Sequence, residues 1–255
     1  MIIKSKINQA KELMKTSNID VWVTLTRESG INTDPILPII SDMSFSRTAG
    51  ILIDNQGKSK LLVSKIDISG AKQRNLYDEI YDYDSNSYYG FEKTLLKIIG
   101  KNKTIGLNFS DDDPMADGCT IGLYNRLKHS IDSLKYNCEI VSAESISSVV
   151  RERKNQYELD NIIKSIEITQ SIYDETKNFI KVGVSERDIH AFFIEQAEKK
   201  KVELAWGKEH CPCVKVGKDF AFGHSGPGDT KAKLGDLVHI DFGVIYNGFC
   251  SDIQR

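Results

Sequence analysis

Asp241-Phe242-Gly243-Val244-Ile245-Tyr246-Asn247-Gly248-Phe249-Cys250-Ser251-Asp252-Ile253-Gln254-Arg255 places two carboxylates on either side of an Asn-Gly pair. Asn-Gly between apolar runs signals a tight hairpin, because both central residues of a type I′ turn need φ > 0. Antiparallel strands are therefore expected over Leu237 to Tyr246 and Phe249 to Arg255. A two-residue loop sets Tyr246 opposite Phe249, Gly243 opposite Asp252 and Asp241 opposite Gln254. Opposed residues share a face with their i±2 neighbours, which makes Asp241 and Asp252 diagonal neighbours with Cβ atoms roughly 7 Å apart. Carboxylates at that spacing can bridge two divalent ions about 3.5 to 4 Å apart. Val238, Ile240 and Phe242 would then point to the core, away from His239 and Asp241, unless a bulge reverses the parity. The same residues also fit an ordinary exposed hairpin with two solvated Asp side chains, since Asp is common near turns.

Upstream, Phe222-Gly223-His224-Ser225-Gly226-Pro227-Gly228-Asp229 sets three glycines around one histidine. Such a loop lets backbone approach a ligand closely while it presents an imidazole, which suits a proton donor or a stabiliser of a developing oxyanion. It leads through Lys233-Leu234-Gly235-Asp236 into the strand that carries Asp241, which ties His224 to the same neighbourhood.

The earlier part of the chain alternates helical and strand patterns, with helices near 8–17, 91–99 and 120–129 and strands near 21–25, 104–107 and 139–141. Asn55-Gln56-Gly57 between Ala49–Ile53 and Lys60–Val63 predicts a second hairpin. This is one α/β domain. From Ala143 the pattern turns helical, and its longest run, Gln156 to Val182, meets Gly183 as a helix stop. Ser185 with Asp188 three residues on reads as the cap of a helix reaching Lys200. The charged segment Arg151-Glu152-Arg153-Lys154-Asn155 marks a boundary, giving domains 1–150 and 151–255.

Composition removes several classes. Lys plus Arg number 34 against 36 Asp plus Glu, a formal charge of -2, with no basic stretch carrying interleaved aromatics, so nucleic acid is not an expected partner. No apolar run is long enough to span a bilayer and the first residues turn polar too early for a signal peptide, which points to a cytoplasmic protein without a membrane partner. Five scattered cysteines are expected to be reduced and mostly structural. Ser110-Asp111-Asp112-Asp113-Pro114-Met115 fails as a calcium loop and reads as a turn with helix-capping acids, and no Walker or dinucleotide fingerprint is present.

Taken in order, Gly223-His224-Ser225-Gly226-Pro227-Gly228, then Gly235-Asp236-Leu237-Val238-His239-Ile240-Asp241-Phe242-Gly243, then Gly248-Phe249-Cys250-Ser251-Asp252-Ile253-Gln254-Arg255 resemble the pita-bread metallopeptidases of the Xaa-Pro aminopeptidase and prolidase type. Residues 1–150 resemble the creatinase-type N-terminal domain, of ribonuclease H-like α/β fold, that precedes them. Residues 151–255 resemble the N-terminal part of the α+β pita-bread domain. The resemblance implies hydrolysis of the bond between an N-terminal residue and proline, with short peptides carrying proline in the second position as substrates, and a homodimer. It implies two divalent metal ions, manganese or cobalt. Asp241 would be the bidentate ligand of one, Asp252 would bridge both, and His224 would be the catalytic histidine. The resemblance supplies a further His and two Glu ligands after Arg255, so the 255-residue chain is expected to be an inactive piece with an exposed sheet edge. A metal-free creatinase-like amidinohydrolase and a non-enzymatic binding or dimerisation module are the alternatives.

Overall fold

In the computed structural model, residues 2–28, 34–87, 89–218 and 226–255 are described. They divide into two compact units, Met1–Arg153 and Lys154–Arg255.

The first unit runs α1 (Ile2–Lys15), β1 (Val21–Thr26), α2 (Leu37–Ile40), β2 (Ala49–Asp54), β3 (Ser59–Ser64), α3 (Ile68–Arg74), β4 (Glu79–Tyr83), α4 (Gly90–Ile99), β5 (Thr104–Leu107), α5 (Ile121–Ser133), β6 (Glu139–Ser142) and α6 (Glu144–Glu152). Its sheet has the order β4-β3-β2-β1-β5-β6. The β1-β2 and β2-β3 pairs are antiparallel, whereas β3-β4, β1-β5 and β5-β6 are parallel. Both faces are covered, which is why every residue of β1 is buried rather than every second one. Trp22, Ile51, Ile53, Leu61 and Val63 pack with residues of α1, α2 and α6 on one side. Val21, Val23, Leu25, Ile105 and Leu107 pack with α4 and α5 on the other.

Helix α1 owes its place to Ile7, Ala10 and Met14, a stripe at helical spacing. It also buries Lys6, whose Nζ donates to the carbonyls of Val150 and Arg153 at 2.8 Å each. That ammonium answers carbonyls that the end of α6 leaves unpaired. The β2-β3 turn follows the expected chemistry: Asp54 Oδ1 accepts from the N–H groups of Gln56 and Lys58, and Gly57 takes a positive φ of 77°. The acids after Ser110 make a turn, Asp113 accepting from Met115 N–H, but they cap no helix. Thr120 stands at the start of α5 without a side-chain cap.

The second unit runs α7 (Gln156–Phe179), α8 (Glu186–Lys199), β7 (Glu203–Leu204), β8 (Cys213–Val216), β9 (Val238–Phe242), β10 (Val244–Tyr246), β11 (Phe249–Cys250) and β12 (Ile253–Gln254). Helices α7 and α8 both open on capping boxes, Asn155 with Glu158 and Ser185 with Asp188. Each box satisfies two N–H groups that would otherwise be orphaned, stabilising its helix by about 1 kcal/mol. Helix α7 stops at Phe179, short of the expected Val182, with Ile180 already extended. Gly183 is not its stop: at φ 92° it donates to the Ala232 carbonyl and turns the chain toward a later segment.

The hairpin differs from two continuous strands. Both arms break, one at Gly243 and the other at Ser251 and Asp252, and the pieces belong to separate sheets, β11-β10-β7 and β12-β9-β8. The cause is local. Ser251 uses its hydroxyl to accept the Val244 N–H at 3.0 Å and pairs with Thr169 Oγ1 of α7 at 2.7 Å. The Gly243 carbonyl turns away to accept from Ala205 N–H. The register nevertheless survives the break. Tyr246 faces Phe249 and Ile245 faces Cys250 before it, and Phe242 faces Ile253 and Asp241 faces Gln254 after it. Gly243 and Val244 on one arm match Ser251 and Asp252 on the other, so no bulge intervenes. The turn is of the expected kind, with φ 49° at Asn247 and 83° at Gly248.

The core of this unit sits between the helices and one face of the β8-β9 sheet. Ile172, Tyr173, Ile189 and Phe193 meet Val214, Val216, Ile240 and Phe242 there. Phe193 packs edge-on against Tyr173 and Phe242, with ring centroids 5.2 and 4.7 Å apart. Each such buried side chain stabilises the fold by roughly 1.5 to 3 kcal/mol, and together they leave the opposite sheet face for other work.

Candidate metal centre

Because Val214, Ile240 and Phe242 point to the helices, the alternate residues Cys213, Lys215, His239 and Asp241 share the other face. Asp241 lies directly across from Cys213 on β8 and from Gln254 on β12. Gln254 is two residues beyond Asp252, so the diagonal placement expected for the two carboxylates is met, and Asp252 stands within hydrogen-bonding reach of Asp241. Asp252 itself is exposed.

The electrostatics of the pair are unfavourable as it stands. Burial, then the charge of Asp252, raise the Asp241 carboxyl above its usual range, while the Gln254 amide opposes the shift. Asp241 Oδ2 accepts from Gln254 Nε2 at 3.2 Å, whereas Oδ1 is buried with no hydrogen-bond partner. A buried carboxylate oxygen without a donor, on a side chain that feels the charge of a second carboxylate, is an arrangement that a cation would satisfy. Oxygen donors of this kind fit a hard divalent ion. The pair does not complete a coordination shell: among the described residues no group of three or more His, Cys, Asp or Glu side chains is placed to hold a metal ion.

His224 lies outside the described residues. Its neighbour Gly226 is described, and the Gly226 carbonyl accepts from Lys215 Nζ at 3.2 Å, from the sheet face that carries Asp241. A hollow of about 380 Å³ lined by Gln170, Tyr173, Lys177, Val238, Ile240 and Arg255 opens on the helix side of these strands. It is therefore not the space in front of the carboxylates.

Two supporting residues escaped the sequence reading. Gln254 could have been found, since the hairpin register already set it opposite Asp241. Tyr173 could not: it sits inside a 24-residue helix with no motif around it, yet its hydroxyl reaches the backbone of both strands. Among the described residues, no helix is long and apolar enough to cross a membrane.

The model of metallopeptidase family M24 matches residues 160–255. A protein of Mycoplasma pneumoniae described as "Putative Xaa-Pro aminopeptidase" is 39% identical over 108 residues, which is 42% of this chain and 29% of that one. Its namesake in Mycoplasma genitalium is 27% identical over 259 residues, covering 99% of this chain and 63% of its own length. The crystal structure of X-Pro aminopeptidase from Thermotoga maritima superposes with a TM-score of 0.62 at 23% identity, over 97% of this chain and 64% of that one. The chain thus spans less than two thirds of the relatives it matches, and its fold is that of the pita-bread peptidases with their preceding α/β domain. Residues 160–255 are thus similar to metallopeptidase family M24.

Proposed function

We propose that this chain is part of a metal-dependent peptidase that cleaves between an N-terminal residue and proline. Residues 1–150 would be its creatinase-type N-terminal domain and residues 151–255 the N-terminal part of its catalytic domain. The observation that carries the reading is the Asp241 and Asp252 pair, with one buried Asp241 oxygen lacking any partner. Its relatives point the same way: the Mycoplasma proteins and the Thermotoga structure bear Xaa-Pro aminopeptidase names.

In this reading Asp241 and Asp252 hold two divalent ions, manganese or cobalt, which when bound supply an activated water and polarise the scissile carbonyl. The chain's own residues prepare the place. The Gln254 amide fixes Asp241 Oδ2, the Tyr173 hydroxyl holds both strands by their carbonyls, and the apolar face beneath keeps the sheet rigid. His224 is the residue assigned to contact the substrate or the tetrahedral intermediate. The reading carries with it a homodimer and a cytoplasmic location.

Two carboxylates leave most coordination positions to water, so the 255-residue chain binds such ions weakly and is inactive alone. The experiment is calorimetric titration with Mn²⁺, together with an assay on a proline-containing dipeptide. Weak binding abolished by Asp241→Asn or Asp252→Asn, without turnover, is the expected result. Equal binding by wild type and both variants would refute the metal assignment, and turnover by the purified chain would refute its inactivity.

A further inference from the structure

In an antiparallel hairpin, alternate opposed pairs exchange two backbone hydrogen bonds, N–H to carbonyl in both directions. Ile240 and Arg255 do so, at 2.8 and 2.9 Å. Nearer the turn in the same register, Val244 and Ser251 do not. Ser251 N–H donates to the Val244 carbonyl at 3.0 Å, but the return bond from Val244 N–H goes to the Ser251 hydroxyl, also at 3.0 Å. The carbonyl thus replaced has turned aside. A Cβ on Gly243 would stand 1.9 Å from the Ser251 carbonyl oxygen, which therefore fills the place a side chain would take. That carbonyl and the Asp252 nitrogen share one planar peptide, so turning one turns the other.

Helix α7 holds this arrangement. Thr169 and Ser251 are both buried, and their hydroxyl oxygens lie 2.7 Å apart. A buried hydroxyl that accepts from Val244 still needs a partner for its own proton or a second donor, and Thr169 can be either. The Val244 carbonyl, 3.4 Å from the Ser251 hydroxyl, already takes the Ser251 N–H, so Thr169 is the close partner. One turn on, Tyr173 donates to the Ile253 carbonyl at 2.8 Å. Residues four apart share a helix face, and α7 therefore grips the chain on both sides of Asp252: Ser251 by its side chain, Ile253 by its backbone. Asp252 itself is exposed and stands within hydrogen-bonding reach of Asp241.

We infer that Thr169 and Ser251 are positioning residues for Asp252: their hydroxyl pair sets the peptide from which that acid leaves the strand, and so its place beside Asp241. The alternative is the regular ladder, in which Val244 N–H takes the Ser251 carbonyl and the peptide leading into Asp252 rotates back. The purpose given to Asp252 rests on the proposed peptidase reading; the hydroxyl pair does not.

The test compares the 255-residue chain with Thr169→Val, which keeps the shape without the hydroxyl, Thr169→Ser, which keeps the hydroxyl, Ser251→Ala, and the Val and Ala changes combined. Thr176→Val is the control, because the Thr176 hydroxyl donates to Ile172 within α7. In chelator, Thr169→Val and Ser251→Ala should raise hydrogen exchange at Val244 about tenfold and shift the Asp252 amide resonance. Thr169→Ser and Thr176→Val should leave both near wild type, and the double variant should be no worse than the more affected single one. Calorimetric titration with Mn²⁺ should show binding weakened about three- to tenfold in Thr169→Val and restored in Thr169→Ser. Unchanged Val244 exchange, an unmoved Asp252 amide, a serine variant as affected as the valine one, or an equal response to Thr176→Val would each overturn the inference, as would wild-type Mn²⁺ affinity in Thr169→Val. A wild-type chain that binds no Mn²⁺ would refute the metal reading alone, and the measurements in chelator would then decide the inference by themselves.

Discussion

The Tyr173 hydroxyl lies 2.9 Å from the carbonyl oxygen of Ile240, the residue that precedes Asp241, and 2.8 Å from that of Ile253, which follows Asp252. One phenol on α7 thus joins the two strands at the level of the carboxylate pair. Burial, then the Asp241 charge, push its pKa above the ordinary tyrosine value, so it stays a donor. Tyr173→Phe leaves both carbonyls without this donor and should cost about 1 to 3 kcal/mol, read as a lower urea midpoint for the second unit. It should also weaken Mn²⁺ binding, because the strands that carry the two acids lose their common anchor.

Removing one charge from the pair should help the metal-free fold. Asp241→Asn relieves the repulsion from Asp252 and the burial of a charged group. Its melting temperature in chelator should be equal to or above that of the wild type, while added Mn²⁺ should raise the wild-type value alone. A loss of stability in chelator would show that the Asp241 carboxylate is satisfied in the metal-free chain.

Gly243→Ala should disrupt the second unit. An added Cβ would lie 1.9 Å from the Ser251 carbonyl oxygen, a backbone atom that no rotamer change can move aside. Overpacking alone costs about 1 to 3 kcal/mol, and a clash with backbone exceeds that range. Loss of near-ultraviolet dichroism, or recovery in the insoluble fraction, is the expected outcome.

Asp34 should make the first unit sensitive to pH. Burial raises its carboxyl to about 6, against the lowering effect of Asn108 Nδ2 at 2.8 Å and Ile36 N–H at 3.0 Å, with the Asp117 charge adding to the rise. Between pH 3.8, its ordinary value, and about 6 the folded chain holds a proton that the unfolded chain has released. The stability from this group is therefore fully present below 3.8 and is lost as the pH rises through 6. The displacement corresponds to about 3 kcal/mol. Urea unfolding of wild type and Asp34→Asn from pH 4 to 7.5 should give a difference that changes by about this amount; a constant difference would contradict the assignment.

The fold was legible wherever local chemistry set it. The Asn247-Gly248 turn, the Asn55-Gln56-Gly57 hairpin and the Ser185 capping box need only neighbouring residues, and each forms as read. The order of the first sheet was not legible, because β1 lies beside β5 across most of the domain and nothing near either strand records the pairing. The break at Gly243 was missed for the same reason: it depends on Thr169, far away on α7, meeting the Ser251 hydroxyl. At the site, the hairpin register carried Asp241 and Gln254 to their observed positions. The role of Tyr173 came only from bonds to backbone groups of distant segments, which leave no trace in the spacing of side-chain types.

The matched residues on the two arms of the Gly243 crease have an evolutionary reading. A relative that gains one residue between Asp241 and the turn turns that acid away from its partner unless the other arm gains one too. Length changes in this hairpin should therefore accumulate as balanced pairs, and lineages with an odd change should have replaced an acid in the same step.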